Sequence, residues 1–115
     1  MIHPYTFIGL ADRPQIRRIS SCTVDNMCEL IADYTGINKE LIRHKTRKRE
    51  FVLARQIIYA ILRKHYNLSL NQIGGLFSKD HSTIIHSLEV HECDYETDRL
   101  YKKTFDYVEK KVLFW

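Results

Sequence analysis

Proline and glycine are scarce in this chain, and its two prolines, Pro4 and Pro14, both fall near the start with Gly9 between them. These breakers argue against a long helix over residues 1–22. Internal repeats and low-complexity tracts are missing. So are a signal-like start and any apolar run of about 18 residues, which argues against a membrane role. The three cysteines, Cys22, Cys28 and Cys93, are odd in number and follow no pattern. That usage fits a reduced cytosolic protein better than a disulfide-stapled secreted one. No GxxxxGK(S/T) phosphate loop occurs, and neither a Ser/His/Asp set nor paired carboxylates can be recognised. The chain is therefore expected not to be an enzyme, and to use no cofactor and no nucleotide.

What is present suits one globular domain. The 115 residues are 44% hydrophobic, with a net charge of +4 and a pI near 9.0. A chain of this length buries about two-thirds of its unfolded surface. The positive balance favours a polyanionic partner. Its distribution says more, because five of the seven residues 43–49 are Lys or Arg.

Helical periodicity runs through the chain after the N-terminal arm, where YTFIGL reads as a short strand or an apolar segment and Arg13, Arg17 and Arg18 as solvated. Val24, Met27, Ile31 and Tyr34 form one stripe of a helix that begins near Thr23 and ends at Gly36. Asn38 caps a short turn, NKELI, that places Leu41 and Ile42 inward. A longer helix over roughly residues 48–66 buries Phe51, Ala54, Ile58, Ile61 and Leu62, with Thr46 as its best cap. Arg47, Lys48 and Arg49 crowd the positive end of that helix, at a cost of about 0.3–1 kcal/mol each unless an external anion meets them. Tyr101, Phe105, Val108, Val112 and Trp115 form a final amphipathic stripe, packed on the domain or at a dimer or partner seam.

Between these lies the most informative stretch. Ser69 and Gln72 make a capping box, and Leu70, Ile73, Leu76 and Phe77 follow on one face. Ser78 and Lys79 break the pattern. Asp80 then caps a second helix with Ile84, Ile85 and Leu88 inward and His81, Ser82, Thr83 and His86 outward. Two helices joined so tightly form a helix-turn-helix, whose second helix enters a DNA major groove N-terminal end first. Gly74 and Gly75 sit inside the first of them at about 1 kcal/mol each, and Gly74 is read as permitting close approach of the two helices.

The run LARQIIYAILRKHYNLSLNQIGGLFSKDHSTIIHS resembles the C-terminal DNA-binding domain (domain IV) of DnaA, the bacterial chromosomal replication initiator. The likeness rests on ARQ, NLSLNQIG, LF and DHSTIIHS in order, and spans roughly residues 24–92. It implies an all-α, Trp-repressor-like helix-turn-helix domain of five or six helices. Around it lie an irregular arm (1–22) and a C-terminal helix (96–115), with the domain itself over 23–95.

By the same resemblance Asp80, His81 and Ser82 read bases in the major groove, and Arg47 enters the neighbouring minor groove. Thr83, Arg55, Gln56, Arg63, Ser69, Leu70 and Lys79 hold the DNA backbone, with His86 and Lys48 as further candidate contacts. Three departures stand out. The turn FSKDH is one residue short, Glu89 and Val90 replace basic residues, and the ATPase module is missing from these residues.

The partner implied is double-stranded DNA at a DnaA-box-like site, in the bacterial cytoplasm and nucleoid. The role implied is in replication initiation or its regulation, as a stand-alone factor or a piece of an initiator. Two alternatives stay open: a protein-interaction module that kept the fold, and a small transcription regulator. A metal site from Asp80, His81, His86, His91 and Cys93 is not expected, because the spacing fits no closed ligand set.

Overall fold

A computed structural model describes residues 23–44 and 46–114, all of their regular structure helical. The arm over 1–22, Lys45 and Trp115 lie outside the described residues. Six helices follow one another: α1 (Thr23–Thr35), α2 (Lys39–Ile42), α3 (Arg49–His65), α4 (Leu70–Phe77), α5 (His81–Thr97) and α6 (Arg99–Leu113).

α3 is the spine, and every other helix packs on it. Its sequence explains this, since an unbroken run from Ala54 to Leu62 is buried and two faces of the helix are covered at once. Fully buried Ile58, Ile61 and Leu62 meet Met27 and Ile31 of α1, Ile73 of α4, Ile84 of α5 and Val108 of α6 in one core. Burying each of these side chains is worth about 1.5–3 kcal/mol, which makes this core the main source of stability.

Chain breaks fall where local chemistry puts them. Gly36 takes a left-handed φ of 82° and donates to the Ala32 carbonyl at 2.7 Å, closing α1. Asn38 caps α2 by accepting from the Glu40 amide at 2.9 Å. The cap of α3 differs from the Thr46 expected. Lys48 holds the N-cap position with no side-chain cap, and the Thr46 hydroxyl instead accepts from the Lys48 amide at 3.4 Å.

Two apolar stripes are narrower than their spacing suggested. Tyr34 lies exposed at the rim, stacked on Tyr107 with ring centroids 4.5 Å apart, and Leu41 faces out while Ile42 alone fills the core. Ile85 is likewise 39% exposed, because it sits about 100° round the helix from Ile84 and about 60° from Leu88, at the edge of the buried stripe.

α5 does not stop after His91. It continues through the acidic stretch to Thr97, so a domain edge at residue 95 would cut it. His91 explains the continuation: it is buried, with its ring 4.7 Å from Phe105 and Nδ1 2.5 Å from the Tyr101 hydroxyl. Gln56 donates to that hydroxyl at 3.2 Å and to Asp94 at 3.0 Å, so α3, α5 and α6 share one buried polar cluster. Asp98 alone separates the two helices, and its carboxylate accepts from the Leu100 and Tyr101 amides to start α6. Tyr101, Phe105, Val108 and Val112 face inward in the chain's own core. A dimer seam through those four side chains is thereby excluded, while Trp115 lies outside the described residues.

Candidate nucleic-acid interface

The helix-turn-helix is α4 and α5 with the intervening residues 78–80. Ser69 accepts from the Gln72 amide at 3.1 Å and its own amide donates to Gln72 Oε1 at 2.8 Å, completing the capping box. Ser78 then turns the chain in the left-handed region at φ 54°. The Lys79 amide donates back to the Gly74 carbonyl at 2.8 Å, and a Cβ on Gly74 would collide with the Lys79 carbonyl. Glycine is thus required at 74 by the backbone of the turn at Lys79 and Asp80, rather than by the body of α5 as its place between the two helices suggested. Gly75 faces open space, and nothing in the structure explains it.

This turn sets up the leading end of α5. Asp80 has the extended N-cap backbone (φ −73°, ψ 151°), yet its carboxylate caps no amide. It is 70% exposed, with Oδ1 3.4 Å from Nδ1 of His81, itself 54% exposed. Ser82, Thr83 and His86 are exposed as well, while Ile84 between them is buried. The corner therefore offers a carboxylate, an imidazole and two hydroxyls outward, at a helix end where backbone N–H groups have no intrahelical partner. Such groups suit base edges and phosphates equally.

Beside it stands the basic junction between α2 and α3. Arg47, Lys48 and Arg49 are exposed. Arg43 ties this junction to the motif: it donates to the Leu76 carbonyl at 2.9 Å and to Asp25 at 3.0 Å, and lies 5.5 Å over the Phe77 ring. A shallow cleft lined by Arg43, His44 and Ser78 joins the two regions. Arg43 was not singled out from the basic run by its spacing, because a partner 33 residues away leaves no local trace.

Several residues expected at phosphates are held inside instead. Arg55 is only 6% exposed, and its guanidinium donates to the carbonyls of Ile42, His44 and Thr46 at 2.5 to 3.0 Å. Burial lowers its pKa, and its charge is satisfied by the α2–α3 connection. Gln56, 3% exposed, belongs to the cluster around Tyr101. Both side chains are turned inward, with their polar groups engaged inside the protein. Half-buried Arg63 donates to the Leu68 carbonyl at 2.8 Å and so braces the entry to α4. The Ser69 hydroxyl is engaged by its cap, Leu70 packs against the core, and Lys79 is half-buried beside the turn. Asp80, His81, Ser82, Thr83, Arg47 and Lys48 are exposed, as are Ser69 at its cap and His86 one turn behind Ser82.

Among the described residues no three metal-ligating groups converge, and no helix is long and apolar enough to cross a membrane. Cys28 and Cys93 are free thiols; burial pushes that of Cys28 up to about 11.

A capped helix, a tight turn and a second helix with an exposed polar leading end define a helix-turn-helix domain. The family model described as the bacterial DnaA protein helix-turn-helix matches residues 24–90, more than half of the chain, and the chain belongs to that family. Chromosomal replication initiator protein DnaA of Flavobacterium psychrophilum is 31% identical over 91 residues, covering 78% of this chain and 19% of the relative. DnaA 1 of Chlamydia pneumoniae is 40% identical over 62 residues (54% of this chain, 14% of the relative), and DnaA of Bacteroides fragilis 26% over 100 (82% and 21%). The chain thus spans about a fifth or less of the length of these curated relatives. No solved structure matches it.

Proposed function

We propose that this domain binds duplex DNA sequence-specifically at a DnaA-box-like site, and that its role lies in replication initiation or its regulation at the nucleoid. The observation that supports this most is the exposed corner Asp80–His81–Ser82–Thr83, on a motif that Arg43 ties to the basic α2–α3 junction. Asp80 would accept from a cytosine amine and His81 would donate to a purine N7, with Ser82 as a further base contact. Thr83 and Lys48 would hold phosphates, and Arg47 would reach the adjacent minor groove, where narrow A·T-rich sequence favours an arginine. The residues present supply no phosphate loop, so association of this chain is expected to be indifferent to ATP.

A fluorescence-anisotropy titration across salt concentrations tests the reading. Affinity should fall as salt rises, with a log–log slope of about −0.9 per phosphate neutralised. Arg47→Ala should weaken binding. His81→Ala should remove about 1–3 kcal/mol of discrimination between a selected and a scrambled duplex. Binding that ignores both changes would place the interface elsewhere.

A further inference from the structure

α5 contains no lysine or arginine in its 17 residues, but it carries Glu89, Glu92, Asp94 and Glu96. Three of the four do not face the reading side or lie far along it. Asp94 belongs to the buried cluster with Gln56, Glu92 is half-buried, and Glu96 lies near the helix end. Glu89 is different. It follows Ser82 by seven residues, two helical turns, so it lies on the same exposed stripe as Ser82, Ile85 and His86. It is exposed, and no ion pair joins it to a cation among the described residues.

Position decides what that carboxylate does. Seven residues place it about 10 Å along the axis from Ser82. With the helix entering end first, this exceeds the screening distance of about 8 Å at physiological salt, so Glu89 scarcely disturbs the base edges that the corner meets. A pose that slides α5 about two turns farther into the groove presents this carboxylate to the DNA backbone in place of Ser82, while Glu96, another two turns on, stays outside. At about 4 Å from a phosphate the repulsion is about a five-fold loss of affinity even at the dielectric of water, or ~1 kcal/mol. Since α5 supplies no cation of its own, nothing on the helix offsets that loss.

We infer that Glu89 is a specificity-determining residue that repels DNA poses in which α5 slides beyond entry by its leading turn. It raises the ratio of specific to non-specific binding by weakening the non-specific term. The inference rests on the DNA reading proposed above. Glu89 is an exclusion residue here, not a base reader.

The test uses the full chain, a duplex recovered by selection from a random pool, and a scrambled duplex of the same composition, titrated by anisotropy at physiological salt. Glu89→Gln, which keeps shape and removes the charge, should tighten the scrambled duplex about five-fold and the selected one less than about two-fold. Glu96→Gln removes the same charge farther along the helix and should change both by less than about two-fold. Equal tightening on both duplexes, the same gain from Glu96→Gln, or no change at all would overturn the inference while leaving DNA binding intact. Weakening on the selected duplex would overturn it too, by making Glu89 a cytosine reader. If the unmodified chain binds neither duplex in a salt-dependent way, both this inference and the DNA reading fail together.

Discussion

The two ends of α5 handle polar side chains in opposite ways. At its start Asp80, His81, Ser82 and Thr83 are exposed, and the carboxylate that could cap the helix leaves its amides alone. Near its end His91 and Asp94 turn inward, and the hydroxyl of Tyr101 and the amide of Gln56 satisfy them. Both ends carry a histidine and an aspartate. The difference is burial, which makes one set a fastening and leaves the other available to a ligand.

Arg47, just before α3, and Arg55 within it repeat the contrast, and they give the largest expected effect. Arg55→Ala should destabilise the fold by about 3 kcal/mol in chemical denaturation, because three carbonyls lose a charged donor. Arg47→Ala should leave the denaturation midpoint nearly unchanged. Equal losses would dissolve the distinction between a structural and a free arginine.

Adjacent glycines sharpen it next. Gly74→Ala should cost about 1–3 kcal/mol, since its Cβ meets the Lys79 carbonyl, whereas Gly75→Ala points into open space and should stabilise by about 1 kcal/mol. Thermal melts of the two variants decide the sign.

Within α5 itself, Tyr101→Phe should cost about 1–2 kcal/mol of stability and leave the ranking of duplexes as it was. His81→Ala should do the reverse, with stability changed by no more than about 0.5 kcal/mol. A shift in sequence preference from Tyr101→Phe would mean that the fastening also tunes the reading end.

The last effect appears only in acid. A hydrogen bond from His65, aided by Lys64, holds the Glu109 carboxyl at about 2 against an ordinary 4.5. Because the folded value is the lower one, this contribution is complete above about pH 4.5 and fades as the pH falls toward 2. Glu109→Gln should flatten that part of the stability–pH curve.

Much of this was legible in the residues. The capping box at Ser69 and Gln72, the spine through Ile58 and Leu62, and the break at Gly36 follow from local rules, and local rules suffice where neighbours in sequence are neighbours in space. Arg55 and Gln56 were misplaced because their partners lie up to 45 residues away, and a buried arginine is spelled like an exposed one. The domain edge at residue 95 falls inside α5 for a similar reason, since polar residues after His91 signal solvent only if no second helix covers them. Ile85 could have been placed correctly from helical angle alone, as Ile84 and Leu88 already define the inward face.

Asp98 closes one helix and opens the next with no spacer between them. A joint of one residue has no slack. Any tilt that a groove imposed on the front of α5 would pull at once on the anchored stripe of α6. On the DNA reading proposed above, the protein would meet its ligand as a fixed template, and the bending and twisting needed for a close fit would fall to the double helix.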